Sequence, residues 1–205
     1  MNKKELEIIL SKLEDFRDPK VKLEQYVTHA SIAADMLWNA YSNKHIKGKV
    51  IADLGCGPGI LGLGALLLGA KKVFFVDTDK DAIRVAKNNL KIIEKVVSGK
   101  IHYEFVHSNV KDFCEKVNVV LQNPPFGVKK THMDKLFLLK AMELSSVVYS
   151  FHKYSTKDFI VKFAKENEYK VKHEYKYELP IKRQFWFHFK KVEYILVGCW
   201  CLTKH

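Results

Sequence analysis

The stretch Val50-Ile51-Ala52-Asp53-Leu54-Gly55-Cys56-Gly57-Pro58-Gly59-Ile60 decides how this chain folds. A short apolar strand, Val50 to Ala52, runs into a turn that opens on Asp53 and carries three alternate glycines. A helical run from Ile60 to Leu68 follows and closes at Gly69. Glycines in such a turn let the backbone fold tightly and come close to a ligand. The helix behind it offers unpaired N–H groups and a partial positive charge. Sheets built from this strand–turn–helix unit bind their ligands outside the carboxyl ends of the strands.

The same alternation continues outward. Val73 to Val76 reads as a second strand ending on Asp77, and the helix Lys80 to Val96 places Ile83, Ala86, Leu90 and Ile93 on one face. Ile101 to Val106 and Val117 to Leu121 read as the third and fourth strands. A helix over Leu136 to Met142, a fifth strand over Val147 to Phe151 and a helix over Thr156 to Asn167 come next. Tyr169 to Leu179 and Val192 to Leu202 read as two long strands joined by a basic, aromatic loop. Five strands alternating with helices predict an α/β fold, a mostly parallel sheet with helices on both faces. The last two strands, joined without a helix, would add an antiparallel hairpin and bring the sheet to seven strands. Upstream, Leu6, Ile9, Leu10 and Leu13 form a helical stripe that Asp18-Pro19 breaks, and Ser31 to Tyr41 forms a second helix. No repeat or linker interrupts the chain. A single domain, 1–205, is expected, with a helical cap (1–45), a cofactor-binding core (46–151) and a basic, aromatic C-terminal part (152–205).

Composition narrows the class. Of the 205 residues 47% are hydrophobic and 28% charged, which excludes a disordered chain. The longest strongly apolar run, Ile60 to Ala70, falls well short of the roughly 20 residues that span a bilayer. Neither a membrane span nor a signal peptide is read at the N-terminus. Cysteines stand at 56, 114, 199 and 201, a spacing wrong for a zinc knuckle, so no metal and a reduced, cytoplasmic setting are expected. Lys and Arg number 35 against 23 acids, a net charge of +12 that suits a polyanionic partner.

The glycine turn fits two cofactors. Gly57-Pro-Gly59-Ile-Leu-Gly62 matches the dinucleotide pattern, with Asp77 at the distance of a ribose-binding acid. An acid at Asp53, however, is poorly placed beside a pyrophosphate and well placed for the ammonium of a methionine moiety. The Asp-x-Gly-x-Gly-x-Gly pattern resembles the first motif of class I S-adenosylmethionine-dependent methyltransferases, where Asp77 would hold both ribose hydroxyls. Asn123-Pro124-Pro125-Phe126, at the end of the fourth strand, decides for that reading. It is the signature of methyltransferases that act on planar amino nitrogens. An exocyclic adenine amine is a poor nucleophile because its lone pair is delocalised into the ring. The Asn123 side-chain carbonyl and the Pro124 backbone carbonyl would accept both N–H bonds and favour a pyramidal nitrogen. Two prolines hold those acceptors rigidly, and Phe126 offers a flat surface for a flipped base. Transfer would be a direct in-line displacement without a covalent enzyme intermediate.

Leu23-Glu-Gln-Tyr26, Asn123-Pro-Pro-Phe-Gly127, Val148-Tyr-Ser-Phe-His-Lys153 and Glu178-Leu-Pro180 resemble the methyltransferase-like protein five family, in its archaeal form, over essentially the whole chain. That resemblance implies a Rossmann-like class I fold and methylation of the N6 amine of one adenosine in small-subunit ribosomal RNA. It also implies a small zinc-binding methyltransferase activator protein as partner. By motif, Gln25 and Thr28 would close over the cofactor, Gly55, Gly57, Pro58 and Ile60 would line its methionine and ribose part, and Asn109 and Val110 would meet its adenine. Val27 stands where the family often has Pro, and Asn109 where it usually has Asp, which removes a charge but keeps an acceptor.

The end of the chain suits RNA. From Phe151 on, twelve Lys/Arg face six Asp/Glu. Lys182, Arg183, Lys190 and Lys191 flank Phe185-Trp-Phe-His-Phe189, so cations would hold phosphates while rings such as Phe185 stack on unpaired bases. His152 and His188 are kept out of the catalytic set, since this mechanism needs no ionised base. The third strand, 101–106, is an edge in class I methyltransferases and would accept a strand of the activator protein. Other amines stay open, namely guanine N2, DNA adenine or a protein glutamine, as does a non-catalytic RNA-binding module.

Overall fold

The computed structural model describes residues 1–16, 20, 28–125, 133–182 and 192–205. Two helices lead, α1 (Lys3–Leu10) and α2 (Ala30–Ser42). The alternating core follows as β1 (Val50–Leu54), α3 (Ile60–Leu67), β2 (Lys72–Asp77), α4 (Lys80–Glu94) and β3 (Tyr103–His107). It continues through β4 (Val119–Gln122), α5 (Met133–Leu144), β5 (Val147–Lys153) and α6 (Lys157–Glu166), then ends in β6 (Tyr169–Lys182) and β7 (Val192–Lys204).

Among the described residues the strands form one seven-stranded sheet in the order β3-β2-β1-β4-β5-β7-β6. Strands β1 to β5 pair in parallel; β7 is antiparallel to β5 and to β6. This is the Rossmann-like class I arrangement with an antiparallel C-terminal hairpin. Parallel strands covered on both faces read as continuous apolar runs, and Ile51, Ala52, Val73, Phe75, Val119 and Val120 are all buried. One core cluster joins the sheet to α1, α2 and α3; the other joins it to α5 and α6. Side chains alternate along β7 as two-residue periodicity demands: Cys199 and Cys201 enter the first cluster, Trp200 and Leu202 the second.

Some element ends move. β1 runs to Leu54 rather than Ala52, so Asp53 lies within the strand and the turn proper begins at Gly55. The edge strand β3 begins at Tyr103, two residues later than its alternation suggests. β4 begins at Val119 and keeps Gln122 in the strand. No helix among the described residues is long and apolar enough to cross a membrane.

The order of strands reverses between β1 and β4, which opens a crevice at their carboxyl ends. Leu54 pairs with Gln122, so Gly55 and Asn123 leave the sheet as neighbours. The terminal hairpin also reaches that edge. Lys153, the end of β5, pairs with Val197, and β7 residues 192–196 pair with β6 residues beyond it. The hairpin therefore overhangs the crevice side of the sheet.

Candidate active site

The glycine turn is shaped by backbone that only glycine adopts without strain: φ is +66° at Gly55, +53° at Gly57 and +90° at Gly59. Gly55 and Cys56 donate their N–H groups to the Val76 carbonyl, which ties the turn to β2. A Cβ at Gly57 would stand 2.8 Å from the Phe16 ring, so the N-terminal arm packs directly on the turn. Gly59 is the N-cap of α3 in the left-handed region.

Two carboxyl groups hold this turn from below. Asp53 is buried, and its Oδ2 accepts 2.8 Å from the Gly62 N–H, an otherwise orphaned donor in the first turn of α3. Burial pushes its carboxyl up to about 8, with the Gly62 bond pulling down and the Asp77 charge adding to the rise. Asp53 is thus turned into the α3 N-terminus, where the sequence alone placed it at the mouth of the turn. Asp77 ends β2; its Oδ2 accepts from Gly57 N and its Oδ1 from Asp79 N, each at 2.8 Å. Burial raises its carboxyl too, while those N–H donors oppose the shift.

Asn89 has a role that sequence reading missed. It sits buried in α4, donates from Nδ2 to the carbonyls of Pro58 (3.0 Å) and Glu14 (2.9 Å), and accepts from Glu14 N at 2.7 Å. One amide thereby joins the glycine turn, α4 and the N-terminal arm. Lys20 adds an ion pair to Asp79 at 2.6 Å and to Asp81 at 3.0 Å. An Asn on the apolar face of a strongly amphipathic helix was the available signal.

Pro58 and Ile60 are buried in the turn and at the start of α3, and Val110 is buried after β3. Asn109 is exposed after β3 and spends its Oδ1 on Lys111 N (3.1 Å), capping the short Val110–Asp112 turn. The acceptor expected to face an adenine therefore already has a local donor.

Asn123 follows Gln122 out of β4, and its Nδ2 donates 2.8 Å to the Thr28 hydroxyl. Thr28, buried just ahead of α2, is thus brought to the amide motif across 95 residues of sequence. Gln122 beneath them is fully buried; its Nε2 donates 2.9 Å to Ser150 Oγ, which lies 2.6 Å from His152 Nε2. With the hydroxyl accepting from Gln122, it donates to an unprotonated His152 Nε2. Burial holds that imidazole down at about 3, so it is neutral and structural.

Pro124 and Pro125 are described; Gln25, Phe126, Arg183, Phe185, His188, Lys190 and Lys191 lie outside the described residues. Lys182 ends β6 opposite Val192, at the overhang. Tyr194, on the same overhang, is 63% exposed.

Residues 28–173 match the family model described as the methyltransferase small domain. An rRNA N6-adenosine-methyltransferase of Danio rerio is 38% identical over 90% of this chain and 91% of its own length. The Drosophila melanogaster protein of the same name is 36% identical over 80% and 78%. A candidate RNA methyltransferase from Pyrococcus horikoshii, known by crystal structure, superposes with a TM-score of 0.88 at 47% identity, covering 100% of this chain and 98% of that one. A magnesium protoporphyrin methyltransferase of Synechocystis, solved with bound S-adenosylmethionine, shares the fold at a TM-score of 0.62 and 13% identity, over 84% and 78%.

Proposed function

This chain belongs to the methyltransferase small-domain family, and on that premise we propose that it methylates the N6 amine of an adenosine in ribosomal RNA, using S-adenosylmethionine. The observation that carries the reading is the pairing of Leu54 with Gln122, which sets the glycine turn and Asn123-Pro124 side by side at the β1/β4 crevice. A methyl donor and an amine acceptor site need that adjacency.

The residues fit the cofactor. Three glycines at positive φ make a tight turn, and Asp77 stands beside it with both oxygens fixed by N–H donors. In this reading Asp77 accepts from the ribose hydroxyls, Gly55, Gly57, Pro58 and Ile60 line the methionine and ribose part, and Val110 lies against the adenine. Asp53 shapes the site from behind by holding the first turn of α3 in place. Asn109 contributes its capped turn, and Gln25 completes the closure from the N-terminal side.

S-adenosylmethionine supplies an electrophilic methyl carbon on a sulfonium. The work of the protein is on the amine. Asn123 Oδ1 and Pro124 O accept the two N–H groups of N6, which localises the nitrogen lone pair toward the methyl carbon. Held by the glycine turn and Asp77, S-adenosylmethionine would supply that methyl with the C–S electron pair staying on sulfur, and the surplus proton on N6 would pass to solvent. Phe126 provides the surface on which the flipped base lies.

The substrate side is the overhanging hairpin. Lys182, Arg183, Lys190 and Lys191 would hold phosphates, and Phe185 would stack on an unpaired base. The modified adenosine is assigned to the small ribosomal subunit and the enzyme to the cytoplasm. A small zinc-binding activator protein would add a strand at β3, an edge of the sheet, where Tyr103 is exposed. Labelled methyl transfer to ribosomal RNA, digested to nucleosides, tests the substrate: label on N6-methyladenosine supports the reading, and label on N2-methylguanosine or on protein contradicts it.

A further inference from the structure

Beyond the end of β5 the two sides of β7 differ. On one side Val197 is buried and Ile195 packs against the core cluster shared with α1, α2 and α3. The other side opens along the strand: Trp200 is fully buried, Leu196 is 45% exposed and Tyr194 63% exposed. Between them Gly198 carries no side chain, and a Cβ there would collide with the Trp200 ring. An exposed aromatic and aliphatic strip beside a crevice marks a contact surface. We propose that this side of the overhang, carried by Tyr194 and Leu196, is a stacking platform for unpaired bases of the RNA that flank the target nucleotide. The proposal rests on the reading of the substrate as RNA and adds the face and the contact through which the RNA is held.

Placement, charge and chemistry select that occupant. Only β5 separates β7 from β4, about 10 Å across, and the overhang rises past the edge where Asn123 leaves the sheet. The chain that follows Asn123-Pro124-Pro125 forms α5, which packs on this same Trp200 side. Lys176, opposite Gly198 in register, is exposed and holds its ammonium 4.7 Å from the centre of the Tyr154 ring. Nearby Glu174 is engaged by Lys157 at 3.0 Å and by the Tyr154 hydroxyl at 2.8 Å, so Lys176 brings surplus positive charge to the inner margin of the strip. Glu178, opposite Leu196, is exposed and puts a carboxylate on the strip itself. A carboxylate repels phosphate and accepts from base amino groups, so bases lie over the strip while the backbone follows its cationic margin. A sheet face that presents rings at alternate positions receives single strands in this way, and a ring stacks on any base. The paired, stacked bases of a duplex give it nothing to stack on.

The test titrates the full chain with a labelled, mixed-sequence single-stranded oligoribonucleotide and with the same strand annealed into a duplex. Tyr194→Ala should weaken single-strand binding about fivefold or more, and Tyr194→Phe, which keeps the ring, should bind as the wild type does. Duplex affinity should be the same in all three proteins. The salt dependence of single-strand binding should also be unchanged in Tyr194→Ala, because no phosphate contact is lost. The proposal is overturned if alanine binds the single strand like the wild type, if phenylalanine loses as much as alanine, or if the duplex loses as much as the single strand. Sedimentation without RNA should give one mass for wild type and Tyr194→Ala; a wild-type dimer that the alanine splits would assign the strip to a second copy and overturn the proposal. These readouts do not depend on methyl transfer, which separates the claim from its premise. Methylation of adenosine in RNA together with normal binding by Tyr194→Ala overturns the platform and leaves the substrate reading. Single-strand binding governed by Tyr194, in a wild type that methylates only protein, overturns the substrate reading and leaves the platform.

Discussion

Asp53 and Asp77 are two aspartates at the ends of neighbouring strands, and their surroundings give them different work. Asp53 keeps one oxygen on Gly62 N inside the core, whereas Asp77 spends both oxygens on the turn and on Asp79 N at the edge of the crevice. Asp77→Ala should therefore raise the cofactor Kd about tenfold or more with the fold retained, since a charged hydrogen-bonding group is lost from the ribose side. Unchanged affinity in a binding titration would move the ribose elsewhere. Asp53 sets a pH effect on stability. Its carboxyl is near 8 in the folded protein against 3.8 in its ordinary state, so the folded chain holds a proton that the unfolded chain has lost. Stability is then fully present below about 4 and declines as pH rises toward 8, by on the order of 1 kcal/mol per unit. His152 works the other way: its folded value near 3 means that stability falls as pH drops below its ordinary 6.5. The histidine's contribution fades between pH 6.5 and 8 and is common to the wild type and an Asp53 variant. Urea midpoints across that window should fall for the wild type and stay flatter for Asp53→Asn, which keeps an acceptor for Gly62 and has no proton to lose. Equal slopes would contradict the assignment.

At the scale of elements, the strands and helices of the core were legible because buried parallel strands are apolar runs and α4 has a helical stripe. Their ends were less so. Asp53 looked like the start of a turn because an acid in a buried strand is rare; its pairing to the α3 N-terminus, nine residues on, is what keeps it there. The Asn-Pro-Pro motif was legible as chemistry, whereas its contact with Thr28 spans 95 residues and leaves no local pattern. The same is true of Asn89, which pins the arm to the glycine turn. Asn89→Ala strips partners from the Glu14 and Pro58 backbones and should cost about 2–3 kcal/mol, or several degrees in Tm. A change below 1 °C would show that the arm is held by other contacts. The edge strand gives a separate expectation. Tyr103→Asp, at an exposed position of β3, should abolish co-elution with the activator protein and leave cofactor binding intact; undiminished co-elution would place the partner on another surface.

The whole molecule carries +12, and its C-terminal third holds twelve of the 35 cations. Lys182, at the end of β6, belongs to the part of the hairpin that overhangs the edge where Asn123 leaves the sheet. Binding to RNA should accordingly be salt-dependent: several phosphate contacts predict a loss of about tenfold or more between 50 and 200 mM salt. A salt-independent affinity would argue against a phosphate-holding face. The central claim is that the crevice between β1 and β4 joins a methyl donor to an adenosine amine. Labelled S-adenosylmethionine and ribosomal RNA lacking the modification test it most directly, with wild type and Asn123→Ala run side by side and the RNA digested to nucleosides. The account predicts label on N6-methyladenosine for the wild type, at least about a hundredfold less for the variant, and equal cofactor affinity for both. Label on any other nucleoside, or an Asn123→Ala variant as fast as the wild type, would contradict it.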